Sequence, residues 1–243
     1  MDRLDAGAIA LPGVEVRVVE RCSSTNILLE ERIAHPVLLA AEEQTAGRGR
    51  RGRRWRSPPG AGITFSLAAP VRRPARELAA LSLVAGVATA RALRALGAQV
   101  ALKWPNDLVV GEAKLGGILV ETRNALAVIG VGINCRRVPQ LEAQLGRPVA
   151  FLEIEDRNLV IRRIAAALLD ALQAFEARGL DAVREDWEAM HAHAGRRLRV
   201  RLADGTTMSG LSQGIAEDGA LRLLTRRGLR AVHSARVLSS RPA

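Results

Sequence analysis

The chain has 243 residues, 48% of them hydrophobic, with 2% aromatic side chains and a net charge of +11. That is ample material for a sizeable core in one large domain, or in one domain with a small companion. Three classes are set aside. No apolar run reads as the roughly 18–20 residues of a membrane span, the first five residues carry no basic-then-apolar leader, and Cys22 and Cys135 form neither a disulfide framework nor a metal spacing. A cytoplasmic, reducing setting is expected.

In chain order, residues 14–19 alternate as a strand. Ser23-Ser24-Thr25-Asn26 then offers N-cap chemistry to an amphipathic helix over 27–33, and capping alone would explain Ser24 and Thr25. Residues 36–42 form an apolar strand leading into Gln44-Thr45-Ala46-Gly47-Arg48-Gly49-Arg50-Arg51-Gly52-Arg53-Arg54-Trp55-Arg56. A strand at 62–67, a buried Ala/Leu-rich helix at 76–96 and a strand at 100–102 follow. Next come a hairpin with strands at 108–110 and 114–121, a strand at 126–131, and helices near 158–178 and 180–191. From Gly195 the texture changes to short alternating strands at 198–202, 208–215, 220–224 and 230–232, punctuated by glycine. That spacing predicts a small β-barrel of about 50 residues. The expected division is 1–194 and 195–243.

The charge is local. Residues 48–56 contribute +6 and the tail from Gly195 contributes +7, which leaves the rest of the chain at −2. Between Glu43 and Glu77 no acid neutralises the arginine loop. Guanidinium forks match phosphate or carboxylate oxygens two at a time, and glycine lets a backbone approach a ligand closely. The loop therefore reads as a polyanion clamp. Its Gly47-x-Gly49-x-x-Gly52 matches the dinucleotide fingerprint only in letters, because it runs into Ser57-Pro58-Pro59-Gly60 instead of a helix and lacks the ribose-binding acid.

Of the 36 basic residues, only Lys103 and Lys114 are lysine. Either they sit where a compact ammonium is needed, or chance left them there. Lys114 reads as a solvated hairpin residue or as a cation above the open backbone of Gly116-Gly117. Asn106-Asp107 reads as a turn or as site residues. Trp55, flanked by arginines, is poorly placed for a core and reads as a stacking platform for a planar base. His191 and His193 read as surface residues, and both cysteines as small buried hydrophobes.

Five blocks in fixed order, spread over about 110 residues, carry a resemblance. They are Ser24-Thr25-Asn26; Gln44 to Gly52 with Trp55; Lys103-Trp104-Pro105-Asn106-Asp107; Lys114-Leu115-Gly116-Gly117-Ile118-Leu119-Val120-Glu121; and Gly130-Val131-Gly132-Ile133-Asn134. Together they resemble biotin–protein ligases. The resemblance implies an α+β fold, in which a mixed-sheet catalytic domain with helices on one face precedes an SH3-like β-barrel. It implies that biotin and Mg-ATP give biotinyl-5′-adenylate and pyrophosphate, after which a lysine of a biotin carboxyl carrier protein domain takes the biotinyl group. By similarity, Lys114, Arg48 and Arg50 are catalytic. Ser24, Thr25, Asn26, Gln44, Gly47, Gly49, Gly116 and Gly117 join them in binding biotin, with Ser24, Thr25 and Gln44 on the ureido ring. Arg51, Trp55, Lys103, Asn106, Asp107 and Asn134 join them on ATP, with Asp107 as the candidate for Mg²⁺.

The catalytic strands begin near Val14, so the resemblance is to the type without an N-terminal DNA-binding domain. No specific DNA binding and no membrane association are expected, and a homodimer is left open. Gly116 stands where some members carry alanine, a difference expected to be tolerable. A lipoate–protein ligase would share the fold, but its run of adjacent glycines and downstream His-Asp do not occur here. A nucleic-acid-binding module would suit the basic tail, but that tail has no Phe, Tyr or Trp for base stacking. Steering of an acidic carrier domain is the simpler use for the charge.

Overall fold

The computed structural model describes residues 3–29, 33–139 and 148–243. Seven strands form one mixed sheet: β1 Glu15–Cys22, β2 Val37–Gln44, β3 Gly62–Pro70, β4 Ala101–Lys103, β5 Asp107–Val110, β6 Ala113–Arg123 and β7 Leu126–Asn134. Their order is β1-β2-β3-β7-β6-β5-β4, with only β1 and β2 parallel.

The period-two alternation of a strand divides the central residues between two faces. Ile63, Phe65, Leu67 and Ala69 of β3, with Ala127, Ile129, Val131 and Ile133 of β7, enter the main hydrophobic core. That core also takes in α3 (Leu81–Ala95) and α4 (Arg157–Arg178), which pack on each other. The alternate residues are small or polar. Thr64 pairs with Gly132 and Ser66 with Gly130, so this face of the sheet is left with room for a ligand. α1 (Ala6–Ile9) packs against α4 and β1. The four-residue α2 (Thr25–Leu28) lies on the opposite face from the long helices, with the Asn26 side chain over Gly130.

The segment Leu78–Ala95 is long and apolar enough by composition to cross a membrane, contrary to the expectation that no run would be. It is a core helix, 67% buried. The helix expected over 27–33 instead starts at Thr25, and its described part ends at Leu28. Residues 30–32 lie outside the described set.

The second sheet contains β8 Arg197–Leu202, β9 Thr207–Ile215, β10 Leu221–Thr225, β11 Gly228–Val232 and β12 Ala235–Arg241. All pairings are antiparallel in the order β11-β10-β9-β8-β12. Four of these strands were expected; β12 was not, because its apolar alternation is broken by Ser239 and Ser240. The arrangement is consistent with an SH3-like barrel, with the hydrogen-bonded sheet left open between β11 and β12. Leu198, Val200, Leu221 and Leu223 share the main core cluster with the catalytic sheet, and Trp104 Nε1 donates to Gly219 O at 3.1 Å.

His191 and His193 are buried, at 7% and 4% exposure, not on the surface as expected. The chain leaving α5 (Arg184–Met190) pairs with β4, Ala192 N donating to Leu102 O at 2.8 Å, and this tucks both rings inward. Burial pushes their pKa values down to about 3 and about 4, so both are neutral at ordinary pH. Cys135 is buried as expected, and burial pushes its thiol up to about 12.

One ion pair ties the N-terminal segment, β2 and α4 together. Arg157, 2% exposed, makes a fork to Glu42 at 2.7 and 3.0 Å, and Glu42 also accepts from Leu4 N at 2.7 Å. Burial opposes ionisation of Glu42, but the hydrogen bonds from Arg157 and Leu4 outweigh it and hold the carboxyl below its usual range. A depressed carboxyl stabilises the fold above its unfolded pKa, and that stability is lost as pH falls through the folded value. Glu42→Gln is expected to cost about 3 kcal/mol at pH 7, with the gap closing below about pH 4. Urea unfolding at the two pH values checks it.

Candidate active site

The face of the sheet left free by small residues forms the floor of a cleft of about 370 Å³. Its walls come from α2, the arginine loop, the β4–β5 hairpin and β6, with residues 235–238 of β12 closing one side.

The arginine loop folds as a miniature hairpin. Trp55 N donates to Gly47 O at 2.9 Å, Gly49 N donates to Arg53 O at 2.7 Å, and Arg48 and Arg54 face each other as a bridge. Gly47 is fixed by this geometry, since a Cβ there would lie 2.6 Å from Trp55 O. At the tip, Arg51 takes φ 58° and reaches Ser234, in the turn between β11 and β12, at 2.9 Å. Arg48, Gly49, Arg50 and Arg51 line the cleft; Gly47 does not.

Both lysines line it too. In a regular strand, residues 114 and 117 would project from opposite faces. Here β5 and β6 slip register between Leu108–Gly116 and Val109–Lys114, so Leu115 is fully buried while Lys114 and Gly117 share the cleft face. A Cβ at Gly117 would lie 3.2 Å from Lys114 Nζ. The Lys114 ammonium is ion-paired with Asp107, and Asp107 stands opposite Lys103 across the hairpin. Residues 148–150 and Asn134 fix the Lys114 backbone. Lys114 N donates to Pro148 O, Ala150 N to Lys114 O, and Asn134 Nδ2 to Lys114 O at 3.3 Å. Asn106 lines the cleft and braces β6, its Nδ2 donating to Ile118 O at 2.7 Å.

Arg50 is the most enclosed guanidinium of the loop. Desolvation, then repulsion from Arg51, holds its pKa below the ordinary value, against an opposing attraction from Asp107. A desolvated cation of this kind gains most from an anionic ligand.

At the other end Ser24, Thr25 and Asn26 are buried, and they line the cleft together with Gln44. Ser24 stands at the N-cap position of α2 but makes no side-chain cap bond, so capping does not account for it. Thr25 N donates to Gln44 Oε1 at 2.7 Å.

Two expectations are corrected, for Gly116 and Asn134. Gly116 does not open onto the cleft: a Cβ there would meet Gly132 O at 2.5 Å and Leu108 Cδ1 at 3.3 Å, on the core side, so alanine would not be neutral in this chain. Asn134, 8% exposed, sits behind Lys114 and not in the cleft wall. Asp107 is already held by the Lys114 ammonium, and the described residues contain no group of three or more His, Cys, Asp or Glu placed to hold a metal. A metal carried in by nucleotide phosphates would meet the carboxylates of Asp107 and Glu112 on the cleft wall, and magnesium commonly takes only one or two.

Trp55 packs over Gly132, where a Cβ would lie 2.5 Å from Cε2, and its indole N–H is buried without a partner. Gly132→Ala is expected to push the indole off the floor and weaken substrate binding by about 10-fold, readable by calorimetric titration. Residues not assigned from the sequence also line or brace the cleft. Gly130 and Gly132 lie within the motif 130–134, and Glu121 ends the motif 114–121. Ser66 was visible only as a polar break in an apolar strand.

A cleft that sets cations beside a hydrogen-bonding cradle, on a mixed sheet with a small β companion, is the site of a protein that binds an anionic ligand. The Biotin/lipoate A/B protein ligase family matches residues 18–134 and the Biotin protein ligase C terminal domain matches residues 193–238. The chain is 38% identical to the bifunctional ligase/repressor BirA of Escherichia coli, over 88% of this chain and 70% of that protein. It is 35% identical to the biotin–[acetyl-CoA-carboxylase] ligase of Mycobacterium tuberculosis, covering 86% of this chain and 83% of that one. The solved biotin protein ligase of Aquifex aeolicus in complex with biotin and ATP superposes with a TM-score of 0.80 at 26% identity, over 94% and 99% of the two chains. The chain belongs to the biotin protein ligase family.

Proposed function

We propose that this enzyme activates biotin with Mg-ATP and then biotinylates a lysine of a biotin carboxyl carrier protein domain. The observation that carries the reading is the meeting, in one cleft, of Lys114, Lys103, Arg48 and Arg50 with the cradle of Ser24, Thr25, Asn26 and Gln44. In the first step a biotin carboxylate oxygen attacks the α-phosphorus of ATP. The new C(O)O–P bond forms as the bond to the bridging oxygen of pyrophosphate breaks, and that oxygen keeps the electron pair. Two anions must approach, and a unit pair at about 4 Å costs roughly 4 kcal/mol at an effective dielectric of 20. The Lys114 ammonium and the Arg48 and Arg50 guanidiniums offset that repulsion and the charge that builds on the phosphorus oxygens. In the second step the neutral amine of the carrier lysine attacks the acyl carbon, forming an amide, releasing AMP and losing one proton.

Ser24, Thr25, Asn26 and Gln44 bind the ureido end, Gly49 and Gly117 let the ligand lie close to the backbone, and Trp55, Arg51, Lys103 and Asn106 receive the nucleotide. In this reading residues 1–194 bind both substrates, 195–243 supply the wall at 235–238, and the enzyme works in the cytoplasm. Radiolabelled biotin and lipoate, each offered with ATP, test the choice. Adenylation of biotin alone is expected, and adenylation of lipoate alone would refute it.

A further inference from the structure

Glu121 touches both ends of the cleft's chemistry. Its Oε1 lies 3.3 Å from Arg48 Nη2, and its Oε2 accepts from Asn26 Nδ2 at 2.8 Å. A carboxylate only accepts, so Asn26 must turn its amide nitrogen to Glu121 and its oxygen the other way. That oxygen sits 2.6 Å from Ser66 Oγ, in space kept open by Gly130, where any Cβ would collide with it. An amide oxygen also only accepts, so the single Ser66 proton goes to Asn26. Ser66 Oγ is in turn 2.6 Å from Thr25 Oγ1. With the Ser66 proton committed, Thr25 must be the donor of that contact, and its proton is withheld from Gln44 Oε1 at 3.2 Å. Gln44 Oε1 instead accepts from Thr25 N at 2.7 Å, which turns the Gln44 NH₂ away as a donor.

The chain of bonds thus has one direction, started by a charge outside the cradle. It leaves Thr25 Oγ1 with acceptor capacity and Gln44 with a donor. This pair complements a ring that offers an N–H beside a carbonyl, as a cyclic urea does. We propose that Glu121 is a positioning residue that sets the hydrogen-bond polarity of the ureido end of the cleft, relayed through Asn26, Ser66 and Thr25. This rests on the biotin reading above. Ser66 is fully buried and is not among the residues that line the cleft, so its part in the relay is separable from the pairing of Glu121 with Arg48.

The test uses the full chain, titrated with biotin alone and with a non-hydrolysable ATP analogue alone. In Ser66→Ala and Glu121→Gln the biotin Kd is expected to rise about 10- to 100-fold, as for a site whose buried polar groups lose their fixed partners. For Ser66→Ala, the nucleotide Kd and the turnover at saturating biotin should stay within about threefold of wild type, a split that general unfolding would not give. If wild type binds biotin and Ser66→Ala binds it equally well, the relay is wrong and Glu121 is only a counter-ion for Arg48. Equal weakening of biotin and nucleotide with a lowered melting temperature would also overturn it. Failure of wild type itself to bind biotin would refute the function on which the relay rests.

Discussion

Lys114→Ala is expected to slow adenylate formation by about 10²- to 10³-fold while weakening biotin binding far less, because an ammonium aimed at charge that develops in the reaction acts mainly on turnover. The ammonium is held from several sides. Residues 148–150 and Asn134 anchor its backbone, and the bulge at Leu115 turns its side chain into the cleft. Removing it does more than subtract a cation, since Asp107 is left with its carboxylate facing the incoming anions. The double variant Lys114→Ala with Asp107→Ala is therefore expected to recover part of the loss, about 10-fold, by removing that repulsion. Single-turnover pyrophosphate release separates the three proteins. Full activity in Lys114→Ala would contradict the assignment.

Arg50→Gly is expected to make adenylate and then lose it. Arg50 lines both the main cleft and an adjoining one of about 400 Å³ that reaches the second sheet through Asp218 and His233. It is partly desolvated beside Arg51, so the empty loop carries repulsion that a bound phosphate relieves. Charge-assisted hydrogen bonds to phosphate are worth about 1.5–3 kcal/mol, so the adenylate should leave about 10- to 100-fold faster. A mixed anhydride released into water hydrolyses, so the variant would consume ATP with poor transfer to the carrier. Rapid gel filtration of the enzyme–adenylate complex measures this. A wild-type lifetime would show that Arg50 does not hold the intermediate.

The strands of the large sheet and its two long helices were legible because their side-chain periods are local. So was the unusual use of lysine: a chain that writes almost every cation as arginine keeps two lysines, and both line the cleft. What was not legible depends on contacts distant in sequence. The bulge that puts Lys114 and Gly117 on one face arises from pairing with β5. The inward turn of His191 and His193 comes from a backbone bridge to β4. Residues 235–238 reach the cleft only because the second sheet folds back on the first, 183 positions along the chain from Arg51 to Ser234. Gly116 misled for the same reason: beside Gly117 it looked like ligand space, but the register sends it to the core. Glu121 closed a recognisable block, yet its link to Asn26 needed β6 and α2 in place.

The central claim is that the cation-lined cleft joins a carboxylate to the α-phosphate of ATP. Pyrophosphate release from Mg-ATP by the purified enzyme, with and without biotin, measures that step directly. The account predicts a burst stoichiometric with enzyme that appears only when biotin is present. Release at the same rate without biotin, or none with it, would contradict it.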